Sequence, residues 1–167
     1  MSVTGTAENT KLADDSIDFV TVAQALHWFN RQNFKAECQR IMKADDKVVL
    51  LWNSRDDKSE LVLQNDAINR KYCPNFEGFS GGMRGETSEY DFNDFYCGDY
   101  ERKVFRNDLS LNEQGFIGRN LSASYALKEN DKNYFFYVTA LKDLFEQHSK
   151  SGILIMPNFT RSYVARV

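Results

Sequence analysis

The sequence predicts an α/β fold built on a parallel sheet, and three observations carry that prediction. Ile17-Asp18-Phe19-Val20-Thr21-Val22-Ala23 is a short β-branched run, apolar on both sides apart from Asp18 and Thr21. Val48-Val49-Leu50-Leu51-Trp52 is a second apolar run. Between them Phe34, Ala36, Cys38, Ile41 and Met42 recur with a rough helical period, and Lys35, Glu37, Gln39 and Arg40 face largely elsewhere. Short apolar runs of this kind suit strands buried on both faces. A strand, a helix and a strand with short links form a βαβ unit, with parallel strands and a right-handed crossover.

Taken in order, Asp14-Asp15-Ser16 supplies the turn before the first strand. Asn30 or Asn33 can cap the helix, since a short amide side chain accepts from the unpaired N–H groups of a first turn. Ala44-Asp45-Asp46 breaks it after about Lys43, and Asn53-Ser54-Arg55-Asp56-Asp57 ends the second strand. Asp57 or Ser59 then caps a helix to about Tyr72 with Leu61, Leu63, Ala67 and Ile68 inside, stopped by Cys73-Pro74-Asn75. Residues 75–99 carry Gly78, Gly81, Gly82, Gly85 and Gly98 among Phe76, Phe79, Tyr90, Phe92, Phe95 and Tyr96. A loop of that length in a compact domain is a lid or a disordered insertion. Tyr100 to Leu109 can add a strand, and Glu113 to Tyr125 a helix. Asp131 or Asn133 caps a helix in which Tyr134, Tyr137, Val138, Leu141, Leu144, Phe145 and His148 recur, with Gly152 as its terminator. Ile153 to Met156 and Ser162 to Val167 read as a hairpin through Pro157-Asn158 that closes the sheet. Residues 1–167 are therefore expected to form one domain with a loop-rich insertion around 75–99.

Composition narrows the function classes. Across 167 residues the formal net charge is −3, with 42% hydrophobic and 27% charged residues, which are ordinary values for a globular protein. An acidic balance speaks against a dedicated nucleic-acid binder, which needs cationic surface to displace counterions. No apolar run approaches the length of a membrane span. Cys38, Cys73 and Cys97 are odd in number and far apart, suggesting neither a disulfide framework nor a metal site. Reduced thiols, and a start with neither a basic nor an apolar stretch, lead us to expect a cytoplasmic protein without a membrane partner. With 13 Phe and 8 Tyr, the chain has a large stiff core or a ring-lined pocket.

Gly5-Thr6-Ala7-Glu8 leading to Leu12, the acidic turn Asp14-Asp15-Ser16, the strand Asp18 to Val22 and the run Ala25-Leu26-His27-Trp28-Phe29 form one pattern. It resembles the class I S-adenosylmethionine-dependent methyltransferases of the small-molecule type, the group that includes trans-aconitate methyltransferase-like proteins. Glu37 to Lys43, Leu121-Ser122-Ala123-Ser124-Tyr125 and Ser162-Tyr163-Val164-Ala165-Arg166 fit the same family, so the resemblance covers nearly the whole chain. The family's P-G-G turn is replaced by Ala44-Asp45-Asp46. The resemblance implies a partial Rossmann-like methyltransferase sheet, parallel strands followed by a C-terminal antiparallel hairpin, with helices on both faces. It aligns the chain with the C-terminal part of that fold. The family's glycine-rich cofactor turn and the acid that grips the ribose are expected upstream of the point where this sequence starts. Gly81-Gly82-Met83-Arg84-Gly85 is no substitute, because it follows a loop and precedes acids instead of a helix start.

The same resemblance implies S-adenosyl-L-methionine as cofactor. It sets Thr6, Ala7 and Glu8 against the adenine, and Ala23 and Gln24 near the methionine part; an ordinary polar loop is the alternative. Among substrate-binding candidates, His27 could take a proton from an acceptor or simply pack at a strand end, and Trp28 beside it suits a wall. Asn53 and Arg55 sit on the carboxyl edge of the sheet, where open α/β folds bind ligands. Arg55 could hold a substrate carboxylate through paired N–H donors or lie on the surface. Tyr90, Phe95, Tyr96 and Tyr125 could line an acceptor pocket or belong to the core. Methyl transfer gains its rate from positioning, so no catalytic residue is required and none is assigned.

Two functions compete at this level. One is methyl transfer to a small-molecule substrate; the other is a truncated, non-catalytic binding or assembly module. On the resemblance, no first strand covers the open side of residues 17–23, and this unpaired edge is expected to form a homodimer or to take a complementing chain that supplies the missing half.

Overall fold

The computed structural model describes residues 4–79 and 92–167. The first predicted unit is present: strand β1 (Ile17–Ala23), helix α1 (Arg31–Ile41) and strand β2 (Met42–Arg55), with β1 and β2 parallel. A 3-10 turn at Leu26–Trp28 lies between β1 and α1. Asn30 is the cap of α1, its side chain accepting from the Asn33 amide at 3.1 Å. Cys38 and Ile41 point into the core with Phe34, as the helical period requires.

Further along come helix α2 (Glu60–Tyr72), strands β3 (Glu101–Arg106) and β4 (Leu109–Leu111), helices α3 (Glu113–Leu121) and α4 (Tyr134–His148), and strands β5 (Leu154–Met156) and β6 (Asn158–Ala165). A four-stranded sheet has the order β1-β2-β6-β3, and β4 and β5 pair antiparallel in a second, two-stranded sheet. This is an α/β Rossmann-like methyltransferase sheet with mixed strand directions, antiparallel pairing toward the C-terminus, and flanking helices. Pro157 separates β5 from β6, and the two strands go to different sheets.

The chain divides into two compact units. Met1–Asn53, Tyr90–Phe105 and Thr160–Val167 form the first. Its core gathers Val22, Leu26, Phe34, Val48, Leu50 and Trp52 with Phe92, Phe95, Tyr96 and Tyr163. Phe95 and Tyr96 are thus core residues, not pocket lining. The Tyr96 hydroxyl donates to the Tyr163 carbonyl at 2.7 Å and lies 3.2 Å from the Val48 carbonyl. Ser54–Glu89 and Arg106–Phe159 form the second unit, whose core joins Leu61, Val62, Phe116, Tyr137, Leu141, Leu144, Phe145, Leu154 and Met156.

Several expectations are corrected. β2 begins directly after α1, and the predicted breaker Ala44-Asp45-Asp46 lies inside it as an irregularity: Ile17 pairs with Met42 but Phe19 pairs with Lys47. Asp45 takes a φ of 70° there. The buried face of α2 is Leu61, Val62, Asn65 and Asn69, while Leu63 is exposed. Asn69 can be buried because its amide donates to the Asn65 carbonyl at 2.9 Å and its Oδ1 accepts from the Tyr137 hydroxyl at 2.7 Å, whereas the Asn65 Oδ1 accepts from Asn69 at 3.2 Å and its Nδ2 has no partner among the described residues. α3 stops at Leu121, short of Tyr125. α4 stops at His148, and Gly152 serves instead in the turn joining Lys150 to Ile153, with a φ of 75°. The Gly81–Gly85 cluster and Tyr90 lie outside the described residues.

Candidate functional site

The first unit carries the expected cofactor residues on the loop before β1 and at its carboxyl end. Thr6 and Asn9 exchange backbone hydrogen bonds, each at 3.2 Å, which closes a tight turn over Ala7 and Glu8. Gly5 is required here: a Cβ on it would stand 2.7 Å from the Asn9 carbonyl and 3.1 Å from the Thr10 Cα, both backbone atoms that cannot swing away. The G-x-A-E spacing therefore has a steric cause. Among the described residues, the Ala7 amide has no hydrogen-bond acceptor.

Glu8 accepts from the Asn30 amide at 3.0 Å. That bond, with its own amide and the Thr6 hydroxyl, holds its carboxyl below the usual range. The turn is fastened from behind by Glu37, whose Oε1 accepts from the Thr10 amide at 2.8 Å and the Thr10 hydroxyl at 2.6 Å. Arg40 clamps the same carboxylate and donates to the Leu12 carbonyl at 2.8 Å. Hydrogen bonds from Arg40 and Thr10 lower the Glu37 pKa to about 2.

At the end of β1, Gln24 has a φ of 55°, a left-handed conformation that breaks the strand. Its side-chain amide donates to the Asn53 carbonyl at 3.0 Å, and the Thr160 hydroxyl donates to the Asn53 Oδ1 at 2.6 Å. His27 and Trp28 are exposed on the 3-10 turn, with ring centroids 4.7 Å apart. His27 also stands 6.5 Å from the Trp52 ring. The structure thus brings together Gln24 and Asn53, and Glu8 with the cap of α1.

Arg55 and Tyr125 belong to the second unit. Arg55 is half-buried at the end of β2, its guanidinium carbon 3.9 Å from the Phe79 ring centroid. Its Nε is buried and without a partner among the described residues. Burial, then the nearby Arg119 charge, lower its pKa to about 10. Tyr125 stacks edge-on against Phe76 at 4.7 Å, and Phe76 against Phe79 at 5.2 Å. Burial raises the Tyr125 pKa, so the phenol keeps its proton. Sequence reasoning did not find Arg119 or Phe79 as neighbours of Arg55, since the residues are remote along the chain and nothing in their spacing joins them.

A nucleoside cofactor is chemically suited to the first group of residues. The Ala7 amide is a free donor, and Glu8 is a carboxylate held in its charged form, able to accept from hydroxyl or amino groups. Among the described residues no His, Cys, Asp and Glu cluster could hold a metal ion, and no helix is long and apolar enough to cross a membrane.

The sheet and its flanking helices have the class I methyltransferase fold, and comparison with known proteins agrees. The methyltransferase-domain family model matches residues 1–50. An uncharacterised methyltransferase-like protein of Schizosaccharomyces pombe is 42% identical over 137 residues, covering 77% of this chain and 49% of that protein. An uncharacterised methyltransferase of Mycobacterium tuberculosis is 38% identical over 58 residues, covering 35% of this chain and 24% of its own length. The chain spans no more than about half the length of these curated relatives. A solved structure assigned as a type II methyltransferase from Anaeromyxobacter dehalogenans superposes with a TM-score of 0.58 at 16% identity, covering 97% of this chain and 69% of that one. The chain is related to several uncharacterised methyltransferases and carries their class I fold.

Proposed function

We propose that the protein serves S-adenosylmethionine-dependent methyl transfer to a small-molecule acceptor. The observation that carries this reading is the turn at Thr6–Asn9, whose geometry excludes any side chain at Gly5 and leaves the Ala7 amide free beside an anionic Glu8. In this reading the Ala7 amide and the Glu8 carboxylate bind the adenosine part, and Ala23 and Gln24 border the methionine part. The cofactor supplies an electrophilic methyl group on a sulfonium. Gln24, pinned to Asn53, keeps the end of β1 from shifting, which matters because in-line displacement gains its rate from fixed geometry. In this reading His27, exposed just beyond the same end of the strand, accepts a proton from the methyl acceptor.

Isothermal titration of the chain with S-adenosylmethionine tests the reading. Saturable binding at about micromolar to millimolar concentration, weakened by Glu8→Ala, is the expected result; no heat at the upper end of that range overturns it for this chain.

A binding or assembly role is favoured by one observation. β1 is the terminal strand of the described sheet, and Phe19 on it is 55% exposed. Such an edge is a template for a strand from a second copy or from a complementing chain. In this second reading, light scattering at micromolar concentration shows a dimer that Phe19→Lys dissociates, and a stable monomer counts against it.

A further inference from the structure

We propose that Arg55 and Arg119 form a binding site for an oxyanion group, carboxylate or phosphate, on the protein's small-molecule ligand. The ligand's role as methyl acceptor rests on the reading above; the binding site does not.

Arg31, Arg40, Arg70, Arg106 and Arg166 each lie against a carboxylate, from Asp94, Glu37 and Asp14, Asp66, Asp108 and Asp45 respectively. Arg55 and Arg119 have no such neighbour among the described residues. Arg55 is also the one of the two that is removed from water: it is half-buried, with Nε fully covered and unbonded. A guanidinium cannot shed its proton at neutral pH, so burial without an acceptor is a standing cost. Arg119 adds like charge and has the opposite effect to a counterion.

The Phe79 ring relieves only part of this. Stacking engages the flat face of the guanidinium and fixes its plane. The N–H donors radiate from the edge, so a stacked arginine presents a preset fork for a planar or tetrahedral oxyanion. Tyr125, kept protonated by burial, contributes a neutral hydroxyl donor beside the same charge. Two cations, an aromatic clamp and a phenol favour an anion over a neutral or cationic ligand, and the acid felt by Tyr125, Asp66, is already paired with Arg70 at 2.5 Å. Arg119 is exposed on α3, so the site is open to solvent on that side.

The test is calorimetric titration of the chain, without S-adenosylmethionine, with malonate, pyrophosphate and the neutral dimethyl malonate. Saturable binding of malonate or pyrophosphate is expected, with no heat from the diester, and the tighter of the two anions identifies the group recognised. Arg119→Gln, an exposed change compatible with folding, should weaken binding about tenfold or more, as should Arg55→Gln, with far-ultraviolet dichroism checking the fold. The proposal is overturned if neither anion saturates by about 10 mM, or if Arg119→Gln leaves affinity within about twofold. Loss of anion binding with intact S-adenosylmethionine binding would end this proposal alone. The converse result would end the methyl-transfer reading and leave the anion site standing.

Discussion

One carboxylate oxygen of Glu37 takes both donors of Thr10, the amide at 2.8 Å and the hydroxyl at 2.6 Å, across 27 positions of sequence. The loop before β1 is thereby anchored to α1 by a buried acid. Glu37→Ala should cost about 2–4 kcal/mol, because it strands the Thr10 amide and leaves Arg40 short of its partner. The pH dependence has a definite sign. The folded-state pKa of about 2 lies below the ordinary 4.5, so the charge contributes fully above about pH 4.5 and its contribution drains as pH falls toward 2. In urea titrations the gap between wild type and Glu37→Gln should therefore narrow from pH 7 to pH 3. A gap that stays constant would show that Glu37 acts through shape alone.

Gly5→Ala should loosen the Thr6–Asn9 turn. The added carbon meets backbone at 2.7 Å, so the loop must shift. We expect a loss of about 1–3 kcal/mol in stability. On the methyl-transfer reading, affinity for S-adenosylmethionine falls together with it. Equal melting temperatures for the two proteins would refute the steric account.

Tyr96→Phe tests the first unit's core. The ring stays, but the Tyr163 and Val48 carbonyls lose the hydroxyl that lies 2.7 and 3.2 Å away. Destabilisation of about 1–2 kcal/mol, with an unchanged urea m-value, is the expected outcome.

Asn30→Ala separates capping from ligand contact. It removes the side-chain acceptor of the Asn33 amide, worth about 1 kcal/mol. The bond to Glu8 comes from the backbone of residue 30 and survives. Stability should fall while S-adenosylmethionine affinity holds; a parallel fall in affinity would mean that the Asn30 side chain itself serves the site.

The limits of β1, the cap-then-helix order of α1 and the parallel pairing of β1 with β2 were legible because periodicity and turn residues agreed over that stretch. Elsewhere the local signal was incomplete. The periodicity of α2 points Leu63 inward, because Asn69 looks like a surface residue until Tyr137, from a distant helix, supplies its partner. Gly152 looked like a helix terminator but serves a turn four positions beyond the last helical residue. At the candidate site, Arg55 could be named from its place at a strand end, but its unbalanced charge could not. That depends on Arg119 and Phe79, which only folding brings near.

The jump in pairing between Ile17–Met42 and Phe19–Lys47 leaves Lys43 to Asp46 as slack in β2. Downstream, Val20 to Ala23 are matched with Val48 to Leu51 in unbroken register. Insertions or deletions of a residue or two at Ala44 to Asp46 should thus be absorbed on the spot, sparing the alignment of Gln24 and Asn53. Length variation among homologous chains is expected to collect at that point and to leave the rest of the paired strands in step.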